Sequence, residues 1–210
     1  MSRRLGFAAL LLAACGSKPA AAPVDELHGG KLVYEQRFEG SGLPADWKTT
    51  SPAWTLRNGE LHGQGAQNEG VWLQQVLPEK VRVTWKATAE SAEGDLKYEV
   101  FTDGHTHQSG YIGIFGGWKN KLNVIARLNE HGKDRLVGAD GKHVEQGHTY
   151  EMAMVRTDDK LKWFVDGQPF MTYTDRAPLR GPEHSHFGFN DWMAPVRFDD
   201  VRIYDLGSAP

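Results

Sequence analysis

Acidic side chains recur in the segment EGDLKYE, where Glu93, Asp95 and Glu99 share one parity. Two carboxyl groups about 5–5.5 Å apart on either side of a glycosidic bond can hydrolyse it with retention of configuration. Residues two apart on one strand approach that separation, whereas Asp95 and Glu99, four apart, do not. Glu93 and Asp95 have suitable spacing, but Gly94 between them is typical of a turn. The segment therefore offers Glu99 as a candidate acid or base, without an intact catalytic pair.

Two tryptophans, Trp118 in GGWKN and Trp192 in NDWMAP, stand among glycine, asparagine and aspartate at the ends of predicted strands. Such indoles can stack on a pyranose ring while amide and carboxylate groups bind its hydroxyls. We therefore predict that Trp118, Trp192, Asn190 and Asp191 bind carbohydrate, with Asp191 also a candidate acid or base. The alternative is that both indoles only cap the ends of the fold.

A polar row in IARLNEHGKDR places Arg127, Asn129 and His131 on one parity, with Glu130 opposite or in the turn. A buried charge must be paired or must face a wet cleft. The row therefore predicts the second half of the carbohydrate site, and Glu130 is a third candidate acid or base. The alternative is an edge strand with a solvated polar face.

Few segments of the sequence combine side chains in a spacing that could bind a metal ion. The nine histidines include two His-x-His pairs: His105/His107 and His184/His186. Zinc needs three or four ligands, and nothing in the sequence brings the two pairs together, so solvated loop histidines are the simpler interpretation. Asp199 and Asp200 supply the hard oxygen atoms that calcium prefers, although no loop has a dedicated calcium spacing. Calcium at these two residues is the only cofactor that the sequence suggests.

The N-terminus combines two arginines, an apolar run from Leu5 to Leu12 and the only cysteine, Cys15. This is the pattern of a targeting segment, and the run is too short to span a membrane as a helix. LAACG resembles the lipobox of bacterial lipoproteins, whose cysteine is lipidated. The resemblance implies a signal peptide over 1–14, a lipidated tether over 15–30 and stable anchoring by several acyl chains. An ordinary secretory signal with a chance cysteine is the alternative.

The residues after the cysteine and the overall charge indicate location and partners. Gly16 and Ser17 stand where an inner-membrane retention signal has aspartate, so the resemblance implies lipid anchoring in the bacterial cell envelope, at the outer membrane. The lipid anchor is the only expected membrane contact. The formal net charge is −3 and no basic block is present, which disfavours a nucleic-acid partner. With no further cysteine, an exported domain depends on its core alone.

From Lys31 onward the hydrophobic pattern has period two, without sustained helical spacing. In KVRVTWKATA, for example, Val81, Val83 and Trp85 alternate with polar residues, as in a half-buried strand. About a dozen such runs, separated by Asn-Gly and Asp-Gly turns, predict two packed sheets. They form one domain over 31–206, followed by a tail over 207–210.

Three segments resemble the concanavalin A-like jelly roll: RFEGSGLPADW, WTLRNGELHGQG and FGFNDWMAPVRFDDVRIYDL. The last is similar to the final two strands of the 3-keto-disaccharide hydrolase family. The resemblance implies an all-β fold, a concanavalin A-like jelly-roll β-sandwich of two antiparallel sheets. Asp191 matches that family's acid, but Trp192 replaces its histidine. Laminarinase-like glycoside hydrolases share the fold, yet Lys97 interrupts the acidic row that their chemistry needs.

The last two strands, HFGFN and VRFDDVRIYD, carry the most specific structural predictions. We expect them to be consecutive and antiparallel, joined by DWMAP at the rim of the concave face. Phe187 and Phe189 should pack inward, with Asn190 to Trp192 at the cleft. Val196 and Phe198 have the opposite parity to Val201 and Ile203, which predicts a β-bulge at Asp199–Asp200.

Three functions remain open at this point. The leading hypothesis is a lipid-anchored envelope protein whose β-sandwich binds a glycan or polysaccharide on its concave face. The second is a hydrolase or lyase of the same fold that acts on glycans. The third is a structural lipoprotein whose sandwich contacts another protein. Fold analogy does not choose among them, because function depends on the site.

Overall fold

The computed structural model describes residues 25–207, so Cys15 and the predicted signal peptide lie outside the described residues. In chain order the strands are β1 (Lys31–Gln36), β2 (Trp47–Lys48), β3 (Trp54–Arg57), β4 (Glu60–Gly63), β5 (Val71–Leu73), β6 (Val81–Ala89), β7 (Leu96–Thr102), β8 (Tyr111–Gly116), β9 (Leu122–Arg127), β10 (Leu136–Gly138), β11 (Thr149–Thr157), β12 (Lys160–Val165), β13 (Gln168–Thr174), β14 (His186–Asn190) and β15 (Val196–Asp205). The helical elements within 25–207 are a four-residue turn, α1 (Gly117–Asn120), and a 3-10 turn, Pro182–His184. In this part of the chain no helix has the length and apolar character needed to span a membrane.

Two antiparallel sheets pack face to face, as the period-two pattern predicts. The eight-stranded sheet, called the support sheet, has the order β13-β12-β11-β6-β15-β4-β3, with β1 also paired to β15. The seven-stranded sheet, called the cleft sheet, has the order β10-β9-β8-β7-β14-β5-β2. Every strand pairing in both sheets is antiparallel.

The hydrophobic core lies between the sheets and follows the alternation of each strand. On β6 of the support sheet, Val81, Val83 and Trp85 are buried in this core. On β14 of the cleft sheet, Phe187 and Phe189 meet them from the other side, and Trp85 contacts both rings. The inward orientation predicted for both phenylalanines is confirmed.

The predicted bulge in β15 is confirmed. The register of β15 against β6 shifts between Asp199 and Arg202, and Asp200 takes a left-handed φ of 56°. The extra residue lets Phe198 before the bulge and Val201 after it both reach the core.

The expected pairing of β14 with β15 is wrong. β14 pairs with β5 and β7 in the cleft sheet, whereas β15 pairs with β1, β4 and β6 in the support sheet. The linker over 191–195 therefore crosses from one sheet to the other. Two packed sheets are about 10 Å apart, a gap that five residues can span, whereas a hairpin needs only about two residues.

The described part of the predicted tether packs on the support sheet. Glu26 forms an ion pair with Lys162, with 2.5 Å between Oε2 and Nζ, and its carbonyl accepts a hydrogen bond from Arg82. Glu26 is thus held against β12 and β6 of the support sheet.

Candidate functional site

A cleft of about 510 Å³ opens on the outer face of the cleft sheet. Its lining includes three large side chains and three charged ones: Trp118, Trp192, Met193, Asp95, Lys97 and Glu130. Ligand pockets commonly combine apolar or aromatic walls with a few fixed polar groups. The cleft has this composition, and its volume lies within their usual range of about 300–1,000 Å³.

Strand β7 supplies charged groups to the cleft through its alternation. Leu96, Tyr98 and Val100 face the core, so Lys97 and Glu99 project from the opposite face of the sheet. Lys97 therefore lies on the same outer face as Glu99. In the sequence it was interpreted as an interruption of the acidic residues of EGDLKYE.

Lys97 pairs with Glu130 and is only 2% exposed. Its Nζ lies 3.0 Å from Oε2 of Glu130 and donates to Oδ1 of Asn68 at 2.9 Å. Burial acts to raise the pKa of Glu130, but the Lys97 ammonium, together with His107 and His131, holds this pKa below its ordinary value. Glu130 is consequently ionised at neutral pH and suits charge stabilisation better than proton donation.

Glu99 is fully buried and orients His107. Its Oε1 lies 2.5 Å from Nδ1 of His107 and accepts a hydrogen bond from Nδ2 of Asn190 at 2.6 Å. Since a carboxylate partner selects the tautomer with the proton on Nδ1, Nε2 of His107 is left without that proton in the neutral ring. Nε2 is buried, makes no hydrogen bond with any described residue, and lies 4.0 Å from Oε1 of Glu130.

Asp191 lies beneath the cleft and does not line it. Its Oδ2 accepts a hydrogen bond from the backbone N–H of Ala66 at 3.2 Å, while Oδ1 has no hydrogen-bond partner among the described residues. Burial raises the pKa of Asp191 to about 6. Protonation thus becomes accessible near neutral pH, a property that general acids share.

Replacing Asp191 by asparagine should change the pH dependence of stability. A carboxyl whose pKa is raised in the folded state favours folding below its unfolded pKa, and this contribution is lost as pH rises through about 6. Between pH 4 and 7 the free energy of unfolding of the wild type should therefore fall by about 2–3 kcal/mol relative to the Asp191→Asn variant. Urea unfolding at both pH values measures this difference. The exposed Asp140→Asn variant is the control, and parallel pH profiles for Asp191→Asn and wild type would contradict the assignment.

The two indoles at the cleft are held in different ways. Trp192 is 52% exposed, but its backbone is fixed because its N–H donates to Asp95 at 3.3 Å and its carbonyl accepts from Gln67 at 2.9 Å. Trp118 lies in the left-handed turn α1 with a φ of 51°, and the guanidinium of Arg135 lies 5.0 Å from its ring centre. Left-handed non-glycine backbone costs on the order of 1 kcal/mol or more, and such strain is often found at binding sites.

The structure brings most of the predicted site residues together. Those that line the cleft are Trp118, Glu130, His131 and Trp192; those buried beneath it are Glu99, Asn190 and Asp191. Asn129 contributes indirectly, since its Oδ1 accepts the backbone N–H of His131.

Arg127 lies away from the cleft, contrary to the prediction. On β9 it has the same parity as Ile125, which faces the core. Its Nε donates at 2.9 Å to Oδ2 of Asp175, the oxygen that also accepts the hydroxyl of Tyr111. Arg127 therefore completes a local ion pair.

The carbohydrate site predicted from the sequence did not include several polar residues of this region, among them Asn68, Lys97 and His107. The His-x-His pair at 105 and 107 offered a partial signal, but it was interpreted as solvated. That interpretation fits the exposed His105, whereas the side chain of His107 is largely buried against Glu99.

The proposed calcium site at Asp199 and Asp200 does not fit the structure. Asp200 already lies 2.7 Å from Nζ of Lys86 and 2.9 Å from Nη2 of Arg202, so cationic side chains occupy its oxygens. The Lys86 hydrogen bond holds the pKa of Asp200 below its ordinary value. Within residues 25–207, no group of three or more His, Cys, Asp or Glu side chains is arranged to hold a metal ion.

Comparison with known proteins assigns the fold. No family model matches the chain, and no curated protein matches it. Among solved structures, a Bacillus licheniformis β-glucanase shares 12% identity over 84% of this chain and 99% of its own, with a TM-score of 0.60. The fold is a concanavalin A-like jelly roll.

Two further structures show the same fold. The carbohydrate-binding module CBM66 from Bacillus subtilis has a TM-score of 0.59 and 16% identity, over 76% of this chain and 96% of its own. A protein described with endo-acting O-glycanases of the human gut microbiota, which initiate mucin breakdown, has a TM-score of 0.63 and 13% identity, over 84% and 100%. At such identities the likeness shows the fold alone.

Proposed function

We propose that the protein binds carbohydrate in the cleft lined by Trp118 and Trp192. The observation that carries the proposal is that two indoles from separate elements line one cleft together with buried charged groups. Aromatic faces bind the apolar side of a pyranose ring, and fixed polar groups bind its hydroxyls.

The cleft provides both kinds of contact. Trp192 exposes about half of its surface while its backbone is held in place, which limits the entropy lost on binding. Asp95 and Glu130 offer carboxylate oxygens that accept hydrogen bonds from sugar hydroxyls, and Lys97 offers a donor. The Lys97–Glu130 pair fixes these groups before a ligand arrives.

The fold is shared with carbohydrate-binding and glycan-active domains, which supports the proposal at the level of fold class. Titrating the full-length chain with laminarin and with mucin O-glycans, while recording tryptophan fluorescence, tests it. A saturable change in emission is expected with at least one glycan class. Unchanged emission with both, together with no binding to a broad glycan array, would overturn the proposal.

The second candidate is a glycan-active enzyme, favoured by the group beneath the cleft. The Glu99–His107 pair orients an imidazole, and burial raises the pKa of Asp191 to about 6. Both features are suited to proton transfer. Release of reducing sugar that is lost in the Asp191→Asn variant would favour this function over binding alone.

We further propose that Cys15 is lipidated and anchors the protein in the bacterial cell envelope at the outer membrane. In a Gram-negative host, the Cys15→Ser variant should no longer take up labelled palmitate and should leave the membrane fraction, because Cys15 is the only thiol in the chain. Fractionation with palmitate labelling measures both effects. Membrane retention of the variant with undiminished labelling would contradict lipidation at Cys15.

A further inference from the structure

A second pocket, of about 370 Å³, lies at one end of the sandwich and shares no lining residue with the cleft. It forms where β7 and β11 end and where β14 begins. Its apolar lining includes Val76, Leu77, Phe101 and Pro182. Its charged and titratable lining consists of Arg156, Arg180, Glu79, His184 and His186.

Arg156 occupies a core-facing position. Tyr150, Met152 and Met154 precede it on β11 at the same parity, and all three belong to the hydrophobic core. Arg156 itself is only 1% exposed. Its guanidinium lies 3.2 Å from the ring centre of Phe101, so a cation replaces the next apolar side chain of the row at the floor of the pocket.

The charge of Arg156 has no anionic partner among the described residues. Its Nε donates to the carbonyl of Glu79 at 3.0 Å and its Nη1 to the carbonyl of Leu179 at 2.8 Å, both of which are neutral acceptors. Burial lowers the pKa of Arg156 to about 10, which leaves the group charged at neutral pH. A buried charge is costly unless it is paired, so the pocket favours a ligand that brings a negative charge.

The surrounding groups do not supply that charge. The only acidic side chain in the lining, Glu79, forms its ion pair with Arg180 at the surface. His184 directs Nδ1 to the carbonyl of Ser109, and Nδ1 of His186 is buried without a hydrogen-bond partner among the described residues. The lining therefore carries two arginines and two histidines against one glutamate.

We propose that this pocket binds a small organic carboxylate. The carboxylate pairs with the guanidinium of Arg156, since a planar guanidinium matches carboxylate geometry. The body of the ligand lies against the apolar wall formed by Val76 and Pro182, of which Val76 is largely exposed. The pocket shares no lining residue with the cleft, so a test of carboxylate binding is independent of a test of carbohydrate binding.

Nuclear magnetic resonance titration of the full-length chain with benzoate and with glucuronate tests the proposal. Benzoate presents an apolar body and glucuronate a sugar body, while benzamide and glucose are their uncharged counterparts. Saturable shifts of the Arg156 Nε–H and Phe101 amide signals are expected with at least one anion and with neither neutral compound. Absence of saturable shifts with both anions, or equal shifts with the neutral compounds, would overturn the proposal.

An arginine replacement supplies the matched comparison. Arg156→Met should weaken anion binding at least about tenfold, because it removes the arginine of the lining that has no acidic partner within residues 25–207. Arg82→Met is the control, since Arg82 is also buried and lies over an aromatic ring, that of Tyr204, away from this pocket. Unchanged affinity in Arg156→Met would contradict the assignment. If that variant does not fold, the Arg156 Nε–H signal of the wild type still decides the question.

Discussion

Replacing Phe189 by alanine is expected to lower the free energy of unfolding by about 3–5 kcal/mol, through lost transfer energy and the cavity that remains. The ring is fully buried and stacks on Phe198 with 4.0 Å between ring centres. It also stacks on Trp47 at 5.8 Å and contacts Trp85 from the support sheet. Because these neighbours come from both sheets, the surroundings can collapse only partly into the space. Urea unfolding measures the loss.

Met193→Ala is a suitable control for the Phe189 prediction. Met193 lies four residues further along the chain but is 51% exposed, so its truncation should cost little stability. A loss below about 1 kcal/mol in Phe189→Ala would mean that this ring does not hold the two sheets together.

Replacing Trp192 by alanine should instead weaken glycan binding at least about tenfold and leave Tm nearly unchanged. Trp192 is about half exposed, and its backbone hydrogen bonds with Asp95 and Gln67 do not depend on the indole. Isothermal titration with a glycan that the wild type binds, combined with thermal unfolding, separates the two effects.

The same Met193→Ala variant controls the binding experiment. Met193 lines the same cleft and is equally exposed, but it has no aromatic face for a sugar ring. Binding should therefore weaken much less than in Trp192→Ala. Normal glycan binding by Trp192→Ala, or unfolding of that variant, would make Trp192 a structural cap instead of a stacking platform.

The fold could be predicted from the sequence because strand alternation is a local property. The parity of Phe187 and Phe189 set their inward orientation, and the change of parity between Phe198 and Val201 located the bulge. The partner of β14 could not be predicted in the same way. Its linker of five residues is compatible either with a loop within one sheet or with a crossing between sheets, and only global packing decides.

The site could be predicted only in part, because its polar network depends on distant pairings. Lys97 lies on β7 and Glu130 in the loop that follows β9, and the role of His107 depends on Glu99 lying next to it. Arg127 was misplaced because both faces of β9 carry apolar residues. Ile125 faces the core and Val124 belongs to a second cluster on the outer face, so alternation does not show which face is inside.

The measurement that most directly tests the central claim is a glycan array probed with the full-length wild-type chain, followed by product analysis of every bound glycan. We predict retention of at least one glycan class, loss of that retention in Trp192→Ala, and no release of reducing sugar. No retained glycan would contradict carbohydrate binding in the cleft, and turnover that is lost in Asp191→Asn would show an enzyme in place of a binding protein.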